Sequence, residues 1–375
     1  MSAVLSAVQV RELRESELAG WDSLVRRFAN YRVTHTLAWV RSLEASGFGW
    51  ARFFCFERDG EVVGCMPGLV SMLGPLRVFG SPPPASQTVS MGPAFDPQRI
   101  TTAEMMDALV PFLDRQLGIH HMEIMSPDLD PAAMVGLEFR GEPWDTYRVR
   151  LYPRSERRTL MQLKDSARRT IARGIKQGLE VRFESDESFV DEHYRQIKEM
   201  YLRGGGSVNF GRRRVLQCFQ KLRNAGNLVA VSVYLPNRVN IATGMFSIEG
   251  KELLLWTWAQ RSEYRWHRPT ELMTWSVMQR AIAAGCETFD LTGLSDFKTK
   301  FGAELDNRKF RWARSRYRWL LGMRDLAAKG LQWHQQLRGR VAQWSTPMFL
   351  RRLDPIPSLP QTLRNSGSQG IGRAP

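Results

Sequence analysis

Hydrophobic positions recur along the chain at two spacings, which divide it into predicted helices and strands. Apolar residues three and four positions apart predict helices, at residues 18–28, 37–43, 101–117, 160–178, 189–202, 212–222 and 270–284. Alternating or short continuous apolar runs predict strands, at residues 52–67, 74–80, 121–125, 147–151, 180–183, 228–234, 241–248, 252–258 and 288–291. The first of these segments is two strands joined at Asp59-Gly60, a strong hairpin signal.

The order of these predicted elements repeats along the chain. In each half helices come first, a strand hairpin follows, and a further helix and strand close the unit. The repeated order indicates two copies of one α/β (α+β) module, which we place at residues 1–152 and 153–318. The length of 375 residues also suits two domains.

The end of the chain differs in kind from both modules. Large apolar residues recur among arginines from 319 to 353 and predict a basic amphipathic helical segment, while residues 354–375 are rich in Pro, Ser and Gly and are expected to be disordered. Residues 311–375 hold twelve Lys or Arg against two Asp, a net charge of +10 out of +15 for the whole chain. Such a concentrated positive field favours an anionic partner.

Two interpretations of segment 319–353 are open. Trp319, Trp333 and Trp344 among arginines suit a helix at the surface of an anionic membrane. The same pattern also suits a helix packed back on the protein. A nucleic acid would satisfy the charge as well, but the segment carries no recognisable reading motif, so no specific nucleic acid is expected.

Composition narrows the class of protein further. The longest apolar runs are far shorter than the roughly 20 residues that cross a bilayer, and the first residues lack the basic region of a signal peptide. We therefore expect a cytoplasmic protein, with contact to the inner face of the membrane if the tail binds lipid. The four scattered cysteines predict reduced core thiols. The six histidines form no metal-binding pattern, so no metal is expected.

The helix predicted at residues 160–178 carries the first group of candidate site residues. Its cationic side chains fall largely away from its apolar stripe and include Arg168 and Arg169. A row of basic residues on a helix is often only a solvated face. Arginine forks also bind phosphate oxygens two at a time, so both residues are candidates for substrate binding.

The second group lies where the strand at 252–258 leads into the helix at 270–284. Tyr264, Arg268 and Thr270 are the candidate binding residues here, with Pro269 suited to the first position of the helix. A helix N-terminus presents free N–H groups to an anion. Aromatic residues in such a segment are more often explained by core or loop packing than by contact with a ligand.

The third group surrounds the strand at 288–291. Asp290 lies near the end of this strand, Gly293 forms the following turn, and Lys298 lies on a short predicted helix between Phe297 and Phe301. Open α/β sheets place their ligands at such carboxyl edges of strands. Asp290 and Lys298 are therefore candidate catalytic residues, although an acid and a lysine also suit a structural ion pair.

Residues 289–305, FDLTGLSDFKTKFGAEL, resemble the C-terminal signature of the FemAB-like acyltransferases. The resemblance rests on Phe289, Asp290, Gly293 and the Phe297-Lys298-x-x-Phe301-Gly302 motif, and on the Arg-rich helix that opens the second module. It spans roughly residues 15–318. It implies two tandem modules of the acyl-CoA N-acyltransferase (GNAT) fold and transfer of an acyl group to an amine.

The chain departs from this family at two places that bear on the acyl donor. Residues 203–223 leave no room for the helical insertion with which bridge-forming members dock tRNA. The Gly-rich loop that binds the CoA pyrophosphate in ordinary acetyltransferases is missing between Gln260 and Thr270. The absent insertion favours acyl-CoA as the donor. Our hypothesis for the acceptor is an amino-sugar or nucleotide-sugar precursor of an exopolysaccharide or the cell envelope. An aminoacyl-tRNA-dependent peptidoglycan bridge transferase and a non-catalytic accessory protein of polysaccharide biosynthesis are the alternatives.

Overall fold

The computed structural model describes residues 6–317 and the single positions 319, 322 and 330. The tail segments predicted at 319–353 and 354–375 otherwise lie outside the described residues. The first half contains β1 (Gln9–Glu12), α1 (Trp21–Val25), α2 (Leu37–Ala45), β2 (Trp50–Arg58), β3 (Glu61–Leu73), β4 (Leu76–Ser81), β5 (Ala94–Phe95), α3 (Thr102–Gln116), β6 (His121–Ser126), α4 (Pro131–Gly136), β7 (Arg140–Pro143) and β8 (Thr146–Arg150). The second half contains α5 (Glu156–Gln162), α6 (Asp165–Lys176), β9 (Glu180–Glu184), α7 (Phe189–Arg203), α8 (Arg212–Asn224), β10 (Leu228–Tyr234), β11 (Asn240–Glu249), β12 (Glu252–Gln260), α9 (Pro269–Ala283), β13 (Thr288–Asp290), β14 (Glu304–Asp306) and β15 (Phe310–Ser315).

The strands form two mixed sheets. One sheet has the order β1-β2-β3-β4-β6-β15-β7, with β5 paired to β3, and the other has the order β14-β8-β13-β12-β11-β10-β9. Each sheet holds antiparallel neighbours and one parallel pair, β4 with β6 and β12 with β13. A helix joins each parallel pair, α3 in the first half and α9 in the second. The repeated α/β module predicted from the order of elements is confirmed.

Local sequence explains several element boundaries. Asp59 and Gly60 both have positive φ angles, 53° and 77°, as a tight hairpin between β2 and β3 requires. Thr101 caps α3: its hydroxyl accepts a hydrogen bond from the N–H of Glu104, whose carboxylate accepts one from the N–H of Thr101. Such caps satisfy N–H groups that the helix itself leaves unpaired.

Two predicted helices differ from those observed. The helix predicted at 18–28 is shorter, because only Trp21–Val25 is α-helical and Glu15–Gly20 forms a 3-10 turn. The helix predicted at 160–178 is two helices, α5 and α6, separated at Leu163 and Lys164, where the backbone is extended. The N–H of Lys164 donates to the carbonyl of Lys300, at 2.8 Å. This tertiary hydrogen bond takes the place of a continuing helical one.

The two sheets exchange a strand. β8, from the end of the first half, lies between β13 and β14 in the second sheet. β15, from the end of the second half, lies between β6 and β7 in the first sheet. The sheets therefore do not divide the chain at residue 152, and the domain limits 1–152 and 153–318 stay a prediction.

The halves also share one hydrophobic core. Trp21, Trp39 and Leu43 of the first half pack in the same buried cluster as Val215 and Phe219 of α8. Burial of a large apolar side chain contributes about 1.5–3 kcal/mol, so this contact region is a main source of stability. The four cysteines are buried free thiols. Within the described residues, no helix combines the length and apolar character that a membrane span requires.

Candidate active site

The second sheet opens into a fork between its two parallel strands. β12 pairs with β13 only from Glu252 to Leu254, and in the described part of the chain no strand pairs with that edge of β12 from Leu255 to Gln260. The corresponding pair in the first sheet is closed, because β4 pairs with β6 up to its last residue, Ser81. We call the space beside residues 255–260 the β12–β13 fork. It leaves backbone N–H and C=O groups available to an extended ligand.

The turn that follows β13 forms one side of this fork. Thr292 and Gly293 both have positive φ angles, 51° and 49°, and the N–H of Thr292 donates to Asp290 Oδ1 at 2.8 Å. The Lys298 ammonium donates to the carbonyls of Thr292 and Gly293, the latter at 3.1 Å. The sequence-predicted residues Asp290, Gly293 and Lys298 are therefore brought together in one turn.

Lys298 is a buried cation at this turn. Its exposed fraction is only 6%, and burial lowers the pKa of its amine to about 8, against the opposing influence of Asp290. An ammonium group has three N–H donors, and the two carbonyls use two of them. Among the residues that the structure describes, the third has no acceptor and is left for a further one.

Asp290 has a partner that the sequence did not indicate. Its carboxylate forms a buried ion pair with Lys309, whose side chain is 1% exposed. Burial alone would raise the pKa of Asp290, but Lys309 and Arg148 lower it below its usual value. Asp290 is thus an ionised carboxylate that holds the turn through Thr292 and anchors Lys309.

Further charged groups surround this ion pair. Arg148 of β8 pairs with Glu252 of β12, and Arg32 of the first half pairs with Asp128 at 2.7 Å. Burial raises the pKa of Glu252, while Arg32 opposes the shift. No sequence motif links these residues, because they meet only when β8 enters the second sheet. Arg148, Glu252 and Lys309 were accordingly missed.

Aromatic contacts connect the two sides of the fork. The Trp258 ring on β12 lies 5.4 Å from Phe297, which in turn lies 5.4 Å from Phe301. Phe301 is fully buried and Gly302 follows in the left-handed conformation, with φ 72°. The Phe-Lys-x-x-Phe-Gly motif therefore fixes Lys298 against the open stretch of β12.

The start of α9 lies at the far end of β12. Arg268 has φ and ψ of 52° and places Pro269 at the first position of the helix. Thr270 is buried and its hydroxyl hydrogen-bonds to the Gln260 side chain at 3.1 Å. Glu271 in the first turn would oppose a bound anion, but Lys300 pairs with it at 3.3 Å.

The remaining predicted site residues differ in their surroundings. Tyr264 is half-buried against the second-sheet core, and Arg268 is exposed beside the start of α9. Arg168 donates to the carbonyls of Met161 and Leu163 and pairs with Asp165, so its guanidinium caps the end of α5. Arg169 is exposed on α6.

A separate groove lies at the other end of β13. It has a volume of about 670 Å³ and is lined by residues 148–153, 287–288 and 304–308. The turn that follows β13 and is held by Lys298 (residues 292–298, the Lys298 turn) does not contribute to its walls. Nor does the open stretch of β12. The groove is therefore separate from the fork.

The candidate site lies in a segment that matches a known protein family. Residues 162–301 match the family model described as an acetyltransferase (GNAT) domain. No curated protein matches the sequence. The matched segment contains the fork, α9 and the Lys298 turn.

Solved structures with the same fold extend the likeness over most of the chain. FemX superposes with a TM-score of 0.64 at 14% identity, covering 80% of this chain and 96% of FemX. A tandem GNAT protein from the clavulanic acid biosynthesis pathway gives 0.51 at 12% identity, covering 82% and 98%. L-PGS from Bacillus licheniformis gives 0.50 at 13% identity, covering 86% and 98%.

The family model defines the class of the matched segment: residues 162–301 form an acetyltransferase (GNAT) domain, which makes the protein a transferase. Within that class its fold is FemAB-like, with two GNAT-like modules in tandem. The fold and class implied by residues 289–305 are thereby confirmed.

Proposed function

We propose that this protein transfers an acyl group from acyl-CoA to an amine on a sugar or nucleotide-sugar precursor of the cell envelope or an exopolysaccharide. The observation that carries the proposal is the β12–β13 fork with Lys298 buried at its side. Within the described residues the parallel pair of the first sheet forms no such fork, so we assign the proposed reaction to the second module alone.

In this reaction the amine nitrogen attacks the thioester carbonyl carbon. A C–N bond forms, the C–S bond breaks, the thiolate of CoA leaves, and the proton lost by the amine balances the thiolate. A negative charge develops on the carbonyl oxygen in the tetrahedral intermediate. Stabilising that charge is usually the largest protein contribution to such catalysis.

Lys298 is suited to stabilise this oxyanion. Two of its donors are held by the carbonyls of Thr292 and Gly293, which aims the third in a fixed direction. Asp290 keeps the turn in place through the N–H of Thr292. Its ion pair with Lys309 argues for this positioning role over deprotonation of the amine.

The open edge of β12 supports acyl-CoA as the donor. An extended pantetheine arm carries amide groups that match unpaired strand N–H and C=O groups. The diphosphate would then lie near the N-terminus of α9, where Arg268 and Thr270 are candidate contacts and Tyr264 lies close by in sequence. Arg169 is exposed for an acceptor phosphate, whereas Arg168 would first have to leave Asp165.

Isothermal titration calorimetry with acetyl-CoA tests the donor. Lys298→Met replaces the lysine with an uncharged side chain of similar length. With D-glucosamine and UDP-glucosamine as acceptors, we expect Lys298→Met to lower kcat about 10²–10³-fold and to leave the acetyl-CoA Kd within a few-fold.

Lys251→Met is the matched control, because Lys251 is an exposed lysine paired with Glu287 away from the turn. It should retain wild-type turnover. Full activity in Lys298→Met would refute the oxyanion role. An absence of acetyl-CoA binding by the wild type would refute the donor and favour an aminoacyl-tRNA donor or an accessory protein.

The location proposed for this reaction is the cytoplasm, at the inner face of the membrane. Support comes from the sequence of 319–353 alone, where basic residues alternate with large apolar ones. Attachment there would place the enzyme beside lipid-linked precursors.

A further inference from the structure

A chain of buried hydrogen bonds leads from α7 to the open stretch of β12. His193 Nδ1 lies 2.9 Å from Thr243 Oγ1, and His193 Nε2 lies 2.8 Å from Thr257 Oγ1. The Thr243 hydroxyl bonds the Gln196 side-chain oxygen at 3.0 Å. Gln196 in turn bonds Glu192 at 2.8 Å. His193, Gln196 and Thr243 are fully buried.

The Glu192 carboxylate fixes the direction of every hydrogen bond in this series. The Glu192 carboxylate, bound by Arg195 and Arg261, can only accept. Gln196 must therefore turn its NH₂ group toward Glu192 and its oxygen toward Thr243.

The same logic continues through the imidazole. Since the Thr243 hydroxyl donates to Gln196, its oxygen accepts from His193 Nδ1–H. A neutral imidazole with a proton on Nδ1 has an acceptor at Nε2. Thr257 must then donate its hydroxyl proton to His193 Nε2.

The neutral state of His193 is consistent with its surroundings. Burial lowers the pKa of the His193 imidazole to about 3. Stacking against Phe189, at 5.1 Å between ring centroids, also holds the ring in place. The ring is thus a fixed acceptor at neutral pH.

Thr257 lies where the fork opens. A register shift in the pairing of β11 with β12 places Thr257 opposite Met245 and Leu255 opposite Phe246, so Trp256 is an extra residue. Beyond this bulge Thr257 faces α7, while its neighbour Trp258 packs with the opposite core and contacts Phe297. Thr257 is half-buried, so part of its side chain is accessible on the α7 side of the sheet, beside the open stretch of β12.

We infer that the Thr257 oxygen orients the acceptor amine, because its own proton is committed to His193 and only its lone pairs remain to bind a substrate N–H. The amine donates one N–H to Thr257 Oγ1, which directs the nitrogen lone pair at the thioester carbonyl. Thr257 is the residue that touches substrate; His193 is a positioning residue that acts through it. This inference rests on the proposed acyl transfer to an amine.

The first test needs no substrate. Nitrogen NMR of protein labelled with ¹⁵N-histidine should show His193 with a protonated Nδ1 and an unprotonated Nε2 from pH 5 to pH 9. Thr243→Val removes the acceptor of Nδ1–H and should change this tautomer. A protonated Nε2 in the wild type would overturn the inference whatever the enzyme turns over.

The second test separates orientation of the amine from binding of the donor. Thr257→Val should lower kcat/KM for the amine about 10–100-fold and leave the acetyl-CoA Kd within two-fold, while Thr257→Ser should restore most of the loss. Thr274→Val, in α9 and outside the chain of hydrogen bonds, is the control and should match the wild type.

Outcomes of the kinetic test distinguish the two proposals. If the wild type acylates the amine and Thr257→Val is equally active, the role of Thr257 is refuted. The proposed function is unaffected by that result. A wild type that binds no acetyl-CoA and acylates no amine refutes the proposed function and this inference with it.

Discussion

Lys298 is a buried cation, and its charge is therefore sensitive to pH near neutrality. Burial lowers the pKa of its amine to about 8. Since the proposed role requires the ammonium form, we expect kcat to fall as pH rises through about 8. Lys298→Arg, which stays charged, should move the fall to higher pH. A flat profile from pH 7 to pH 9.5 in the wild type would contradict the role.

His35 and His193 are two neutral imidazoles inside the protein. Burial lowers the pKa of His35 to about 4, helped by Arg32, and lowers that of His193 to about 3. The unfolded chain protonates both near pH 6.5, so it binds more protons than the folded chain below that value. The free energy of unfolding therefore keeps its full value above pH 6.5 and decreases as pH falls toward 4.

At pH 5 the free energy of unfolding is lower than at neutral pH by about 2 kcal/mol for each histidine. Urea unfolding at pH 7.5 and pH 5 measures it. His193→Gln should lower stability at pH 7.5 but reduce the difference between the two pH values. An unchanged difference in that variant would show that His193 titrates normally.

At the scale of elements, β8, β13 and the segment before β15 are joined by charges rather than by apolar contacts alone. Lys309→Met leaves Asp290 as a buried anion without its main partner. Breaking a buried ion pair in this way costs about 3–5 kcal/mol, measurable by urea unfolding. Lys309→Met combined with Asp290→Asn should regain much of that loss, because the substituted amide is neutral and its oxygen can still accept from the N–H of Thr292.

Lys251→Met provides the comparison for this pair. Its partner Glu287 is about half exposed, and exposed pairs contribute less than about 1 kcal/mol. A loss in Lys309→Met no larger than that in Lys251→Met would mean that the Asp290 pair does not stabilise the fold.

Sequence predicted the elements well where the signal is local. The Asp59-Gly60 hairpin, the helix that begins near Thr101 and the Lys298 turn each depend on residues close together in the chain. The split between α5 and α6 depends on a hydrogen bond from Lys164 to Lys300, which no periodicity contains.

The same limit applies to the site. The motif found Asp290, Gly293 and Lys298 because one turn holds all three. Lys309 is 19 residues from Asp290, and Thr257 is 64 residues from His193. Such partners are set by strand order and by the bulge at Trp256, so a single sequence could not pair them.

At the scale of the whole molecule, the proposed membrane contact can be tested by truncation. The chain must end after Tyr317, because an end near Lys309 would delete β15 and open the first sheet. We expect the full chain to float with liposomes containing phosphatidylglycerol and the chain ending at Tyr317 to stay in the soluble fraction. Equal flotation of both would remove the tail from the proposal.

The exchange of β8 and β15 makes the two halves obligate partners in folding. A fragment ending at residue 152 would lack the strand that lies between β6 and β7, and a fragment starting at 153 would lack the strand beside β13. Each fragment alone should be unfolded, yet the two mixed should refold into a 1:1 complex by donating strands to each other, visible by circular dichroism. The half that we propose to be catalytic would then fold only together with the other half. A shortened protein limited to residues 162–301 should therefore be inactive.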